Sequence, residues 1–223
     1  MILDKNNIPN KLNKFIVIEG INGCGKTTLI ANIKDYLENN NKDVICSKEP
    51  GGTPIGDSLR NIVLSSSKEM TPEAQFFIMS ASRAEYVFKK VRPTINNGSF
   101  FISDRYYYSS LAFQSYAGGL NFDFVYNVSK EVIKECIPDI TFILDLDLET
   151  ASKRLNLRNE NSNEKDSFES EKMEYHQKVR NGFLDLVKKL PERFVILDAT
   201  KNKEQVFNEA ISILKDIYKL WKL

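Results

Sequence analysis

Residues 15–29 read FIVIEGINGCGKTTL: four consecutive apolar residues and an acid, then a loop punctuated by three glycines, then Lys26-Thr27-Thr28 opening a helix-length segment. Gly20 to Thr27 fits G-x-x-x-x-G-K-[ST] in the context that pattern needs, a strand before it and a helix after it. The glycines let the chain curl so that successive N–H groups point inward, where phosphate oxygens can lie. The start of the helix adds the positive end of its dipole. Lys26 is placed to reach β- and γ-phosphates, and the Thr27 hydroxyl to ligate Mg²⁺. The stretch Gly20, Ile21, Asn22, Gly23, Cys24, Gly25, Lys26, Thr27 and Thr28 is therefore expected to hold a nucleoside triphosphate.

Outward from this loop, short apolar runs alternate with longer segments. KFIVIE, DVICS, SFFIS, ITFILDL and RFVILD read as strands, dense enough in apolar residues to be buried on both faces as parallel strands are. Helices are expected over roughly 26–40, 53–66, 72–91, 121–136, 149–158, 168–189 and 202–220. The alternation gives the fold class α/β: a doubly wound, five-stranded parallel sheet flanked by helices, of the P-loop NTPase type. Residues 1–13, rich in asparagine, are expected to be a loosely held tail, and 14–223 one domain. The stretch NLRNENSNEKDS interrupts it, and either a mobile lid at about 154–168 or a plain surface loop fits.

The 223 residues are 42% hydrophobic and 27% charged, the composition of a soluble globular protein. A formal charge of +1 gives no general attraction for nucleic acid, so any phosphate site must come from local placement of charge. No run is long enough to span a membrane. The three cysteines are far apart and form no ligand pair, which points to a reducing, cytoplasmic setting. His176 lies on a long polar segment and is expected to be solvated and without a catalytic role.

A phosphate loop alone does not name a reaction. N-K-x-D is absent, and no D-x-x-G follows the strand ending in DLD, which weakens a switch GTPase reading. Three further clusters each follow a strand, or lie where ligands gather on such a sheet. In SKEPGGTPIGDSLRNIVL, Glu49-Pro50-Gly51-Gly52 makes a rigid turn and Thr53 can cap the next helix. In FFIMSASRAEYV, Arg83 stands one turn after Met79; a core helix with one exposed Arg is the plainer reading. In ISDRYYYSSLAFQSYAGG, Asp104 can hold a magnesium shell and Arg105 a phosphate, or the two can be a structural ion pair.

Taken together, the phosphate loop, EPGGT, the helix ending in Arg83, DRYYYSSLAFQ, the lid and YHQKVRNGFLDLVKK…PERFVILDA resemble the thymidylate kinase family in order and spacing, over about residues 14–220. The resemblance implies a homodimer that transfers the γ-phosphoryl group of ATP to dTMP with Mg²⁺, held by Thr27 and Asp104. It implies an acceptor pocket of Asn22, Glu49, Pro50, Arg60, Met79, Arg83, Arg105, Ser110, Phe113 and Gln114. Arg60 and Arg105 approach the phosphate, and Arg83 and Gln114 the base. Lys26, Asp104, Arg105 and the lid cations Arg154, Arg158 and Lys165 form the catalytic set. The other readings are a kinase of this fold with broader base preference and a non-catalytic nucleotide switch.

The chain departs from the family's pattern at three places. Asn22 stands where many relatives carry an acid, Met79 where an aromatic ring commonly stacks on thymine, and Ser167 where a lid Arg follows the acid Asp166, leaving Lys165 as its substitute. Cys24, among converging N–H dipoles beside Lys26, is expected to be a reactive thiol.

Overall fold

Strand β1 (Phe15–Glu19) is buried at all five positions and forms the middle of a parallel sheet ordered β2-β3-β1-β4-β5. Its partners are β3 (Phe100–Asp104) on one side and β4 (Ile140–Asp145) on the other, with Ile16 level with both Ile102 and Ile140. The outer strands are β2 (Val44–Lys48) and β5 (Phe194–Asp198). The computed structural model describes residues 12–66, 69–159 and 173–219, and only the backbone of 158–159. The expected five-stranded doubly wound sheet is present. Burial on both faces holds for the three inner strands; β2 and β5 are edges, where Ile45 and Ile196 are exposed.

Helices α1 (Lys26–Asn39), α2 (Pro54–Ser66), α3 (Pro72–Tyr86), α4 (Arg92–Asn96), α5 (Tyr107–Ser110), α6 (Phe122–Ile133), α7 (Leu148–Asn159), α8 (Met173–Lys189) and α9 (Lys203–Tyr218) cover the sheet. Most starts follow ordinary cap chemistry. Thr71 accepts from the Ala74 N–H before Pro72, Asn121 from Phe124, and Asn202 with Gln205 makes a reciprocal capping box. The expected helix over 72–91 is real but changes winding at Val87–Val91, a π turn, before continuing as α4. Residues 107–117, not expected to be helical, form α5 and a second π segment, Leu111–Ala117.

One apolar core runs from Phe15 to Ile217, and Phe15 packs edge-on against Tyr106 at 5.1 Å between ring centres. Before β1, the Asn13 N–H is held by Asp139 at 2.9 Å; the rest of the expected tail, 1–11, lies outside the described residues. No described helix is long and apolar enough to cross a membrane.

Candidate active site

The glycine loop joins the carboxyl end of β1 to α1. At Gly20 (φ +139°) an added Cβ would meet the Leu144 carbonyl oxygen at 2.7 Å and Cys24 Sγ at 2.8 Å, so only glycine fits. Gly25, at φ +102°, stands at the start of α1, where no side chain caps the helix and no acid occupies the first turn. Unlike α3, α6 and α9, this helix leaves its first N–H groups and dipole facing the loop. Lys26 is buried and donates to the carbonyls of Gly20 (3.2 Å) and Ile21 (3.1 Å), while Thr27 and Thr28 are exposed.

Asp104, the last residue of β3, has a buried Oδ1 with no hydrogen-bond partner. An orphaned carboxylate oxygen there fits a hydrated Mg²⁺ shell, as hard cations take oxygen ligands and keep waters. No group of three or more acidic, His or Cys side chains forms a metal cage among the described residues.

Beside the loop opens a cavity of about 320 Å³ lined by Gly23, Gly25, Thr28, Leu29, Leu144, Arg154, Ala199, Lys201, Lys203 and Val206, with Cys24. Apolar walls with cations at the rim suit a purine carrying phosphates. Arg154 is half-buried and donates to the Ala199 carbonyl at 3.0 Å. The loop from Ala199 to Lys203 was given no role by sequence, although it follows β5 at the ligand-gathering edge of the sheet.

On the other side of the loop lie the residues expected to form an acceptor pocket. Arg105 takes the left-handed conformation (φ +72°) and donates to the Gly20 carbonyl (3.0 Å), Ser109 Oγ (3.2 Å) and Asn22 Oδ1 (2.6 Å). Its guanidinium also lies over the Phe113 ring at 5.2 Å. No ion pair joins it to Asp104 among the described residues; the carboxylate it meets is that of Glu19, at 3.6 Å.

Deeper in, Arg83 Nε donates to Glu49 Oε2 at 2.6 Å and Nη1 to Ser110 Oγ at 3.1 Å, all three side chains buried. Burial pushes the Glu49 carboxyl up to about 7, with Arg83 pulling it down. Glu49 Oε1 is buried with no partner. Arg60 donates to the Pro50 carbonyl at 2.9 Å, Thr53 caps α2 through the Gly56 N–H, and Gln114 donates to Gln75. Met79 is half-buried on α3 one turn before Arg83, between the fully buried Phe76 and the fully buried Arg83 turn, while Phe77 is exposed.

The loop, Asp104, Arg154 and the pocket residues thus converge on one end of the sheet. Lys165, Asp166 and Ser167, and with them most of the lid, lie outside the described residues, as does the Arg158 side chain. Two expectations are corrected. His176 is 5% exposed, edge-on to Tyr175, because it continues the buried face of Val179, Phe183 and Leu186 on α8. Cys24 is 2% exposed and packs inside the loop, which does not suit a reactive thiol. Sequence reasoning also passed over Glu19, which is wholly buried.

Comparison with known proteins agrees with the fold and with the family that the motifs resemble. The family model described as thymidylate kinase matches residues 18–210. The chain is 35% identical to the thymidylate kinase of Mesoplasma florum, covering 93% of this chain and 98% of that one. It is 38% identical to that of Carboxydothermus hydrogenoformans, covering 92% and 98%. The crystal structure of thymidylate kinase from Ehrlichia chaffeensis superposes with a TM-score of 0.74 at 28% identity, covering 92% of this chain and all of that one.

Proposed function

The chain belongs to the thymidylate kinase family, kinases that phosphorylate dTMP to dTDP with ATP, and we propose how its own residues carry out that transfer. The observation that carries the reading is the placement of the glycine loop between a purine-sized cavity and a buried arginine pocket. The open start of α1 and Lys26 hold the donor phosphates. Arg154 closes over the nucleotide from α7, and Arg158 and Lys165 add lid charge. Arg105 and Arg60 orient the acceptor phosphate, and Arg83, Gln114 and Met79 meet the base beside Glu49, Pro50 and Ser110. Asn22 and Phe113 line the sugar.

Phosphoryl transfer gains chiefly from in-line positioning and from neutralising spreading negative charge. No side-chain nucleophile is needed, since the acceptor phosphate oxygen is already ionised. Thr27 and Asp104 would hold Mg²⁺, whose charge offsets that of the β- and γ-oxygens when bound.

The same reading takes residues 14–223 as one domain with a lid at about 154–168, which the continuous core from Phe15 to Ile217 supports. It takes the chain as a homodimer. Exposed Ile55 and Ile62 on α2, Phe77 on α3 and Phe88 in the following π turn supply apolar surface for a second copy. Three free cysteines suit a cytoplasmic setting. Conversion of dTMP to dTDP by the purified chain with ATP and Mg²⁺, abolished or nearly so in Lys26→Ala, tests the assignment.

A further inference from the structure

Beneath the turn that carries Arg105 lies a carboxylate for which the phosphate-loop pattern has no use. Glu19 ends β1 and has no solvent exposure. Its Oε1 accepts from the backbone N–H groups of Tyr106 (2.8 Å) and Ser109 (3.1 Å). Its Oε2 accepts from the Ser109 hydroxyl at 2.7 Å and lies 3.6 Å from Arg105 Nη1. A buried anion is expensive unless hydrogen bonds and a counter-charge offset the lost water; here two backbone N–H groups and a hydroxyl donate to it, and the guanidinium faces it as an ion pair.

The polarity of this arrangement matters. Ser109 has one hydroxyl proton, and it goes to Glu19. The hydroxyl oxygen is therefore left to accept from Arg105 Nη1, at 3.2 Å. Arg105 meanwhile sits at φ +72°, a backbone conformation that long side chains rarely adopt. Something must hold residues 105–109 in that turn, and the two N–H bonds to Glu19 do so.

We propose that Glu19 is a positioning residue for the acceptor phosphate: it fixes the 105–109 turn and the Ser109 hydroxyl so that the Arg105 guanidinium faces the dTMP phosphate. The inference rests on the reading of Arg105 as the acceptor-phosphate cation. Glu19 itself touches neither substrate. Glu19→Gln keeps an oxygen for the two backbone N–H groups but turns an amide donor toward Ser109 and Arg105, reversing the polarity that aims the guanidinium.

The test is steady-state kinetics on Glu19→Gln, Ser109→Ala, Arg105→Ala and the double variant Glu19→Gln/Arg105→Ala, with each substrate varied in turn. Glu19→Gln is expected to lower kcat/KM for dTMP about tenfold, the scale of losing one charged hydrogen bond, with KM for ATP within about twofold. Ser109→Ala should shift the same constant in the same direction by roughly threefold. The double variant should lose little beyond Arg105→Ala alone, since both changes act on one contact. Equal effects on the ATP and dTMP constants would make Glu19 a general prop of the loop and overturn the proposal. So would normal kcat/KM for dTMP in Glu19→Gln and Ser109→Ala while Arg105→Ala is impaired, an outcome that leaves the reading of Arg105 standing. An unimpaired Arg105→Ala would instead remove that reading. If Glu19→Gln does not fold, Ser109→Ala and its double variant with Arg105→Ala make the same comparison.

Discussion

Lys26 and Arg105 donate to the same oxygen, the Gly20 carbonyl, at 3.2 and 3.0 Å. One side chain is assigned to the donor phosphates and the other to the acceptor phosphate, so the loop brings the two cations together at a single backbone atom. Two positive charges this close repel, and phosphate between them relieves the repulsion. Lys26→Ala should therefore cost on the order of 10²–10³ in kcat, the usual loss of one contact to transition-state charge, with no loss of melting temperature. Retained turnover would show that the loop does not hold the transferring group.

Arg154 is tied to Ala199 and lines the purine-sized cavity, so its loss should be felt on the ATP side. Arg154→Ala is expected to reduce kcat/KM for ATP about tenfold and to cost only about 1 kcal/mol of stability, the worth of an ordinary hydrogen bond. KM for dTMP should not move. A variant that melts far earlier yet turns over normally would make Arg154 a structural tie between α7 and the Ala199 loop.

The Glu49–Arg83 pair gives a pH dependence with a definite sign. Burial raises the Glu49 carboxyl from its ordinary 4.5 to about 7. Between those values the folded chain keeps a proton that the unfolded chain has released. The contribution to stability is thus complete below about 4.5 and is lost as pH rises through about 7, a change on the order of 3 kcal/mol. Glu19 and Asp139, also raised by burial, are common to wild type and Glu49→Gln, so comparing the two isolates this group. Denaturation midpoints followed from pH 4.5 to about 8 should fall less steeply in Glu49→Gln. Parallel curves would mean that Arg83 keeps Glu49 ionised throughout.

The inner strands and the phosphate loop were legible because each is a local pattern: a continuous apolar run, then glycines and Lys-Thr at fixed spacing. Residues 107–117 were not, since Tyr107 and Tyr108 favour strands by intrinsic preference and become helical only by packing into the core. Glu19 was missed because a lone acid after an apolar run reads as solvated; only the fold brings the 106–109 turn over it. The burial of His176 did have a signal. It stands three residues before Val179 and seven before Phe183, the spacing of one helical face, which the polar residues between them obscured. The cavity wall from Ala199 to Val206 carries no motif and emerges only where β5 ends beside α1.

Met79 offers a test of base recognition. A thioether adapts to many shapes, whereas an aromatic ring gains about 1–3 kcal/mol on stacking with a base. Met79→Phe should lower KM for dTMP and narrow the range of accepted bases, with an unchanged melting temperature. If the side chain points into the interior instead, the larger ring would overpack it and cost roughly 1–3 kcal/mol with no gain in affinity.

The most direct measurement is ADP release from ATP and Mg²⁺ with dTMP, dUMP, AMP, GMP and CMP in turn, and with no acceptor. The site described predicts release that depends on the acceptor, is fastest with dTMP, and yields dTDP in equal amount to ADP. Release at the same rate without any acceptor, or with no preference for dTMP, would contradict it.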